Sequence, residues 1–147
     1  MSLAILRVIR RRDGAALPSF VPLTLANSDA EAEGVQLWVL GYGQQQSDRT
    51  NTRNTTTGIL SGRHNGKHGN WIRTDADVLR GHSGGPVVNQ KGEAVGWCVK
   101  SHADRITDLE RSDLGMLEAS GGLHAVRPMN DALPEMRAAA EAAAETG

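Results

Sequence analysis

The residues best suited to chemistry lie in one short run, Gly81-His82-Ser83-Gly84-Gly85-Pro86, within 79–97 (LRGHSGGPVVNQKGEAVGW). A serine hydroxyl becomes a nucleophile when a base takes its proton and backbone N–H groups stabilise the oxyanion formed on the attacked carbonyl. Flanking glycines suit both needs. They lack a Cβ that would hold off a substrate backbone, and their wide φ/ψ range lets nearby N–H groups converge on one point. Ser83 is the candidate nucleophile, and the N–H groups of Gly81 and Ser83 are the candidate oxyanion donors. Ser-Gly-Gly by itself also describes an ordinary glycine-rich hairpin turn, so the decision rests on the surroundings and on a base.

The chain has five histidines. His82 is adjacent to Ser83, but neighbouring side chains on such a turn diverge. Its Nε2 is therefore not expected within the ~2.6–3.2 Å that proton transfer needs. His64 and His68 fall in a polar turn and read as solvated. No third ligand accompanies them at a suitable spacing, so no metal site is expected. His124 sits on an apolar strand and reads as structural. His102 follows the strand that should line a substrate groove, and it is the one histidine worth testing as a base.

The elements that must position this turn are short. Apolar and β-branched runs predict strands at 3–9 (LAILRVI), 35–41 (VQLWVLG), 56–61 (TTGILS), 71–74 (WIRT), 86–89 (PVVN), 94–100 (AVGWCVK) and 123–126 (LHAV), with Gly92 turning the chain between 89 and 94. The polar stretch 42–57 (YGQQQSDRTNTRNTTT) reads as a long loop of the kind that often lines a site, and 102–122 as another. After Pro128, Asn130 or Asp131 is placed to cap a helix through LPEMRAAAEAAAE, with Pro134 in its first turn, where a missing N–H does no harm. About seven short strands and one C-terminal helix make an all-β barrel or sandwich. Trp38, Trp71 and Trp97 alternate with apolar residues and read as core or interface.

Composition removes several function classes. With 147 residues the chain suffices for one domain with a sizeable core. Sixteen Lys and Arg against seventeen Asp and Glu leave a net charge of −1. That argues against a nucleic-acid or anionic-membrane partner, which needs clustered positive charge. The run containing Arg7, Arg10, Arg11 and Arg12 reads as a strand end and solvated turn. Cys98 is the sole cysteine, so no intrachain disulfide is possible. No apolar run approaches the ~20 residues of a membrane-spanning helix. The first residues lack a positive leader ahead of their apolar stretch and do not read as a secretory signal. No cofactor is expected.

Taken in order, several segments carry a resemblance. TDADVLRGHSGGPVVNQKGEAVGW is similar to the nucleophile segment of trypsin-like serine proteases of the HtrA/Deg branch. LANSDAEAEGVQLWVLGYG resembles that family's entry to its second barrel, TTGILSGR its Thr-x-Gly-Ile-Val-Ser strand, and GGLHAVRPMNDALPEM its closing strand and helix. The resemblance implies the second six-stranded barrel of a double β-barrel with a C-terminal helix. Residues 1–12 would be the last strand of the first barrel and its turn, 13–34 a linker, 35–128 the second barrel and 129–147 the helix. It further implies a serine endopeptidase acting through an acyl-enzyme at Ser83. Asp77, six residues before the nucleophile, matches the floor of the primary specificity pocket. A carboxylate there suits Lys or Arg side chains, whereas the HtrA branch more usually has a small apolar residue. Val99, Lys100 and Ser101 match the strand that pairs with substrate backbone. Asp75 matches a frequent family position without a catalytic role being required of it.

The same resemblance exposes a gap. The family's base His lies in the first barrel, and its orienting Asp stands just before a strand that Leu3 to Val8 resembles, where this sequence has Ser2. The expectation is an incomplete enzyme, inactive by itself. In subtilisin, loss of Ser or His costs ~2 × 10⁶ in kcat. The alternative is a catalytically inactive peptide- or protein-binding module, a pseudoprotease. Expected partners are a polypeptide substrate and either the missing first barrel or a second copy, because a lone second barrel should expose an apolar face.

Overall fold

Six of the expected strands form, each on a backbone partner found elsewhere in the chain. The computed structural model describes residues 4–6, 8–43, 52–66, 69–99 and 124–145. Its strands are β1 (Gln36–Gly41), β2 (Asn54–Gly66), β3 (Gly69–Thr74), β4 (Pro86–Val88), β5 (Ala94–Cys98) and β6 (His124–Pro128). They close into an antiparallel barrel in the order β1-β2-β3-β6-β5-β4, with Trp38 opposite Val88 at the closing seam. Closure gives every strand two neighbours and removes the exposed edges that invite aggregation.

The interior follows the two-residue period of strands. Leu37 and Val39 of β1, Leu60 of β2, Ile72 of β3, Val87 of β4 and Val95 of β5 are all fully buried. Arg127 of β6 is buried as well, its guanidinium 3.7 Å from the centre of the Trp71 ring and donating to the Asn70 carbonyl at 3.3 Å. Trp71 thus belongs to the core, while Trp38 and Trp97 are half-buried. The 24–26 segment lies along β5: Ala94 N–H donates to the Thr24 carbonyl at 2.8 Å, and Ala26 N–H to the Ala94 carbonyl at 2.9 Å. Residues 28–30 form a 3-10 turn, held by Arg63, which donates to the carbonyls of Ser28 and Glu31 at 2.6 and 2.7 Å.

Four expectations need correction. The strand at 3–9 does not form: residues 4–6, 8 and 9 lie in no strand, and Leu6, Val8 and Ile9 are 62–86% exposed. An apolar run becomes a strand only when a second strand satisfies its N–H and C=O groups, and among the described residues none pairs with it. His64, expected solvated in a polar turn, instead lies on β2, half-buried and paired with Trp71. Ladder pairing there overrides polar composition, and for the same reason β2 begins at Asn54, inside the stretch read as loop. Asn130 does not cap the helix. Its amide accepts from Ser28 N–H at 3.2 Å and donates to Asn27 at 2.8 Å and Asp29 at 2.7 Å, clasping the 28–30 turn to the end of β6. Asp131 accepts from the Asn70 side chain at 3.2 Å. A 3-10 turn at 129–131 leads into α1 (Leu133–Glu145), with Pro134 in its first turn as expected. The loop expected at 102–122 lies outside the described residues.

Candidate active site

The turn between Asp75 and β4 is built of nested backbone hydrogen bonds. His82 N–H donates to the Leu79 carbonyl at 3.0 Å, and Gly85 N–H to the His82 carbonyl at 2.8 Å. Two bonds tie the turn to the end of β5: Gly84 N–H to the Cys98 carbonyl at 2.8 Å, and Cys98 N–H to the Gly85 carbonyl at 2.9 Å. Ser83 stands exposed at the top. Among the described residues, neither the N–H of Gly81 nor that of Ser83 has a protein acceptor. Gly81 must be glycine for two reasons. Its φ is +102°, and a Cβ there would lie 2.2 Å from the Tyr42 carbonyl oxygen.

His82 points the other way from Ser83, into the protein, and is fully buried. Its Nδ1 accepts the Leu79 N–H at 3.2 Å, and its Nε2 is hydrogen-bonded to Asn54 Oδ1. The tautomer follows from two separate constraints. Leu79 N–H requires a lone pair on Nδ1. Asn54 donates through Nδ2 to the Gly43 carbonyl at 3.2 Å and accepts Gly43 N–H at Oδ1 at 3.3 Å, so the oxygen faces the ring and Nε2 must carry the hydrogen. Burial pushes the imidazole's pKa down, favouring that neutral form. With both nitrogens engaged, His82 is unavailable to take a proton from Ser83. The ring fits because β1 ends at Gly41 and is followed by Tyr42-Gly43: a Cβ on Gly41 would lie 2.9 Å from its Cδ2, and one on Gly43 2.8 Å from its Nε2.

The remaining candidates fall at several places. Asp75 is a brace, its Oδ1 accepting the Ile59 N–H of β2 at 2.6 Å. Asp77 is exposed in the same loop, held through its backbone carbonyl by the Thr56 hydroxyl. Val99, just beyond β5, is half-buried against the cluster of Trp71 and Ala125. Lys100, Ser101, His102 and His68 lie outside the described residues. His124 heads β6 opposite Thr74 and is half-buried, consistent with a structural residue. Cys98 is buried, and burial pushes its thiol up to about 12. No His, Cys, Asp and Glu cluster able to hold a metal occurs among the described residues. None of their helices is long and apolar enough to cross a membrane.

Asn54 and Gly43 are the site residues that sequence reasoning missed. Asn54 is 28 positions from His82 and lies in a stretch that reads as loop. The available signal was the paired glycines of Gly41-Tyr42-Gly43, which mark a close approach by some other group.

Comparison with known proteins gives a consistent picture. A family model described as a trypsin-like peptidase domain matches residues 2–96. A probable periplasmic serine endoprotease, DegP-like, of Buchnera aphidicola subsp. Baizongia pistaciae (strain Bp) is 35% identical over 81 residues, covering 50% of this chain and 16% of that protein. Among solved structures, HtrA-type protease AlgW with decapeptide matches at TM-score 0.58 and 23% identity, over 81% of this chain and 33% of that one. HtrA-type protease AlgW with tripeptide matches at TM-score 0.60 and 22% identity, over 84% and 37%. The chain spans well under half the length of each of these relatives. At such identities the structural likeness is one of fold, a single barrel of the trypsin-like pair with its helix.

Proposed function

This chain belongs to the trypsin-like peptidase family, and from that premise we propose that it forms the second barrel of a serine endopeptidase of HtrA/Deg type, with Ser83 as nucleophile. The observation that carries this reading is the turn itself. An exposed serine sits beside two amides, Gly81 and Ser83, that have no protein acceptor among the described residues. Those N–H groups would stabilise the tetrahedral oxyanion, and Ser83 Oγ would form the acyl-enzyme. The base and its orienting carboxylate would come from a first barrel: the one histidine on the turn is bonded through both ring nitrogens elsewhere, and His102 lies outside the described residues. Polypeptide is the proposed substrate, consistent with the peptides named with the AlgW structures. It would lie along 99–101 as an added strand. Asp77, exposed in the loop before the turn, would favour Lys or Arg at the cleaved position. No cofactor or metal is needed for this chemistry.

Fluorophosphonate labelling tests the assignment, since it requires an activated serine. The chain alone is expected to remain unlabelled. With an HtrA-type first barrel supplied, labelling should appear and vanish in Ser83→Ala. Labelling of the chain alone would refute the need for an outside base. Peptide binding without labelling in either preparation would favour the second reading, a binding module with an idle serine. Retention of Lys/Arg preference in Asp77→Ala would remove Asp77 from the pocket.

A further inference from the structure

We propose that His82 and Asn54 are positioning residues, a neutral ring and an amide that together hold the Gly81 and Ser83 N–H groups outward. The proposal rests on the reading of Ser83 given above.

The observation behind it is that every polar group of His82 is engaged. Its N–H and carbonyl bond Leu79 and Gly85, and its two ring nitrogens bond Leu79 and Asn54. Leu79 is held by the same residue at both its N–H and its carbonyl. The peptide that bears the Ser83 N–H begins at the His82 Cα, so rotation about His82 would swing that amide away from the oxyanion position. Four anchors on one residue remove that freedom. A serine nucleophile gains from donors set before the reaction, because they need not reorganise as charge develops.

Asn54 gives the ring its direction. As the first residue of β2, opposite Gly41, it has a fixed backbone, and its amide brackets both polar groups of Gly43. That bracket presents Oδ1 to the ring. The result is a chain of directed donors, Leu79 N–H to Nδ1 and Nε2–H to Asn54 Oδ1, which only the Nε2–H tautomer satisfies. A phenylalanine or leucine at position 82 would occupy much of the same space without specifying a rotation. Direction, beyond filling, separates positioning from packing.

The test uses the full chain labelled with ¹⁵N, and its readouts do not require catalysis. It is therefore independent of the labelling result that bears on Ser83. In the native chain at neutral pH, the His82 ring signals are expected to show a hydrogen on Nε2 and a bare Nδ1. A hydrogen on Nδ1, or an imidazolium, would overturn the proposal, and this measurement needs no variant. In Asn54→Ala, amide exchange at His82, Gly84 and Gly85 should rise at least about tenfold while that of Leu37 and Val95 stays as in the native chain. Unchanged exchange in the turn, or an equal rise throughout the barrel, would reduce the pair to ordinary packing.

Discussion

Residues 4–23 and residues 79–98 are both rich in apolar and β-branched side chains, yet they meet opposite fates. In the second region Val87, Val95 and Cys98 vanish into the barrel, and the Ser83 turn is tied to β5 by two backbone bonds. In the first, Leu6 is 86% and Val21 95% exposed, and Phe20 and Ile9 are also in solvent. Composition does not separate the two. What separates them is whether a partner strand is found among the described residues, and the Ser83 turn inherits its order from such partners.

The sharpest way to break this comparison is to truncate one leucine inside the barrel and one in the exposed region. Leu60→Ala, at a fully buried site, is expected to lower unfolding free energy by about 2–5 kcal/mol in urea denaturation. Leu6→Ser should stay within about 0.5 kcal/mol of the native chain. An equal loss at both positions would mean that 4–23 is packed in solution. A smaller contrast lies inside the turn. Gly81→Ala forces a Cβ against the Tyr42 carbonyl at φ +102° and should cost roughly 3 kcal/mol. Gly84→Ala, at φ +81° with nothing within 4 Å, should cost only the left-handed backbone strain of roughly 1–2 kcal/mol.

Titration gives a subtler distinction. Because burial lowers the pKa of His82 below its ordinary 6.5, the unfolded chain takes up the proton first as pH falls. Stability is therefore fully present above about pH 6.5 and is lost as pH drops from there through the folded pKa. Melting temperatures measured between about pH 7.5 and 5 should fall accordingly, and the trend should persist in His124→Gln, which leaves His82 intact. The exposed region should register in association instead. Light scattering is expected to show oligomers that diminish in Leu6→Ser/Val21→Ser, and a monodisperse native monomer would contradict this.

Local order proved legible, and long-range pairing did not. The apolar alternation around Leu37 and Val39, the turn at Gly92 and the Ala-rich helix after Pro134 are all visible within a few residues of sequence. So was the divergence of His82 from Ser83, because it follows from adjacency on a turn. The segment at 3–9 read as a strand because its residues favour one, but a strand also needs a neighbour that no local pattern reports. Asn130 looked like a cap, yet three groups about a hundred residues earlier claimed its amide. Asp75 and Asn54 hold Ile59 and His82 across shorter gaps of 16 and 28 residues, still beyond any local pattern, so their roles emerge only when the barrel closes.

The buried Cys98 gives this protein a quiet background for sulfur chemistry. A thiol held up to about 12 and shut inside the barrel should ignore maleimides and disulfide reagents while the fold persists. Any cysteine introduced at the surface would then be the sole reporter. Ser83→Cys, read by its rate of alkylation, would measure how open the turn is and how strongly its surroundings favour an anion, without the chain having to cut anything.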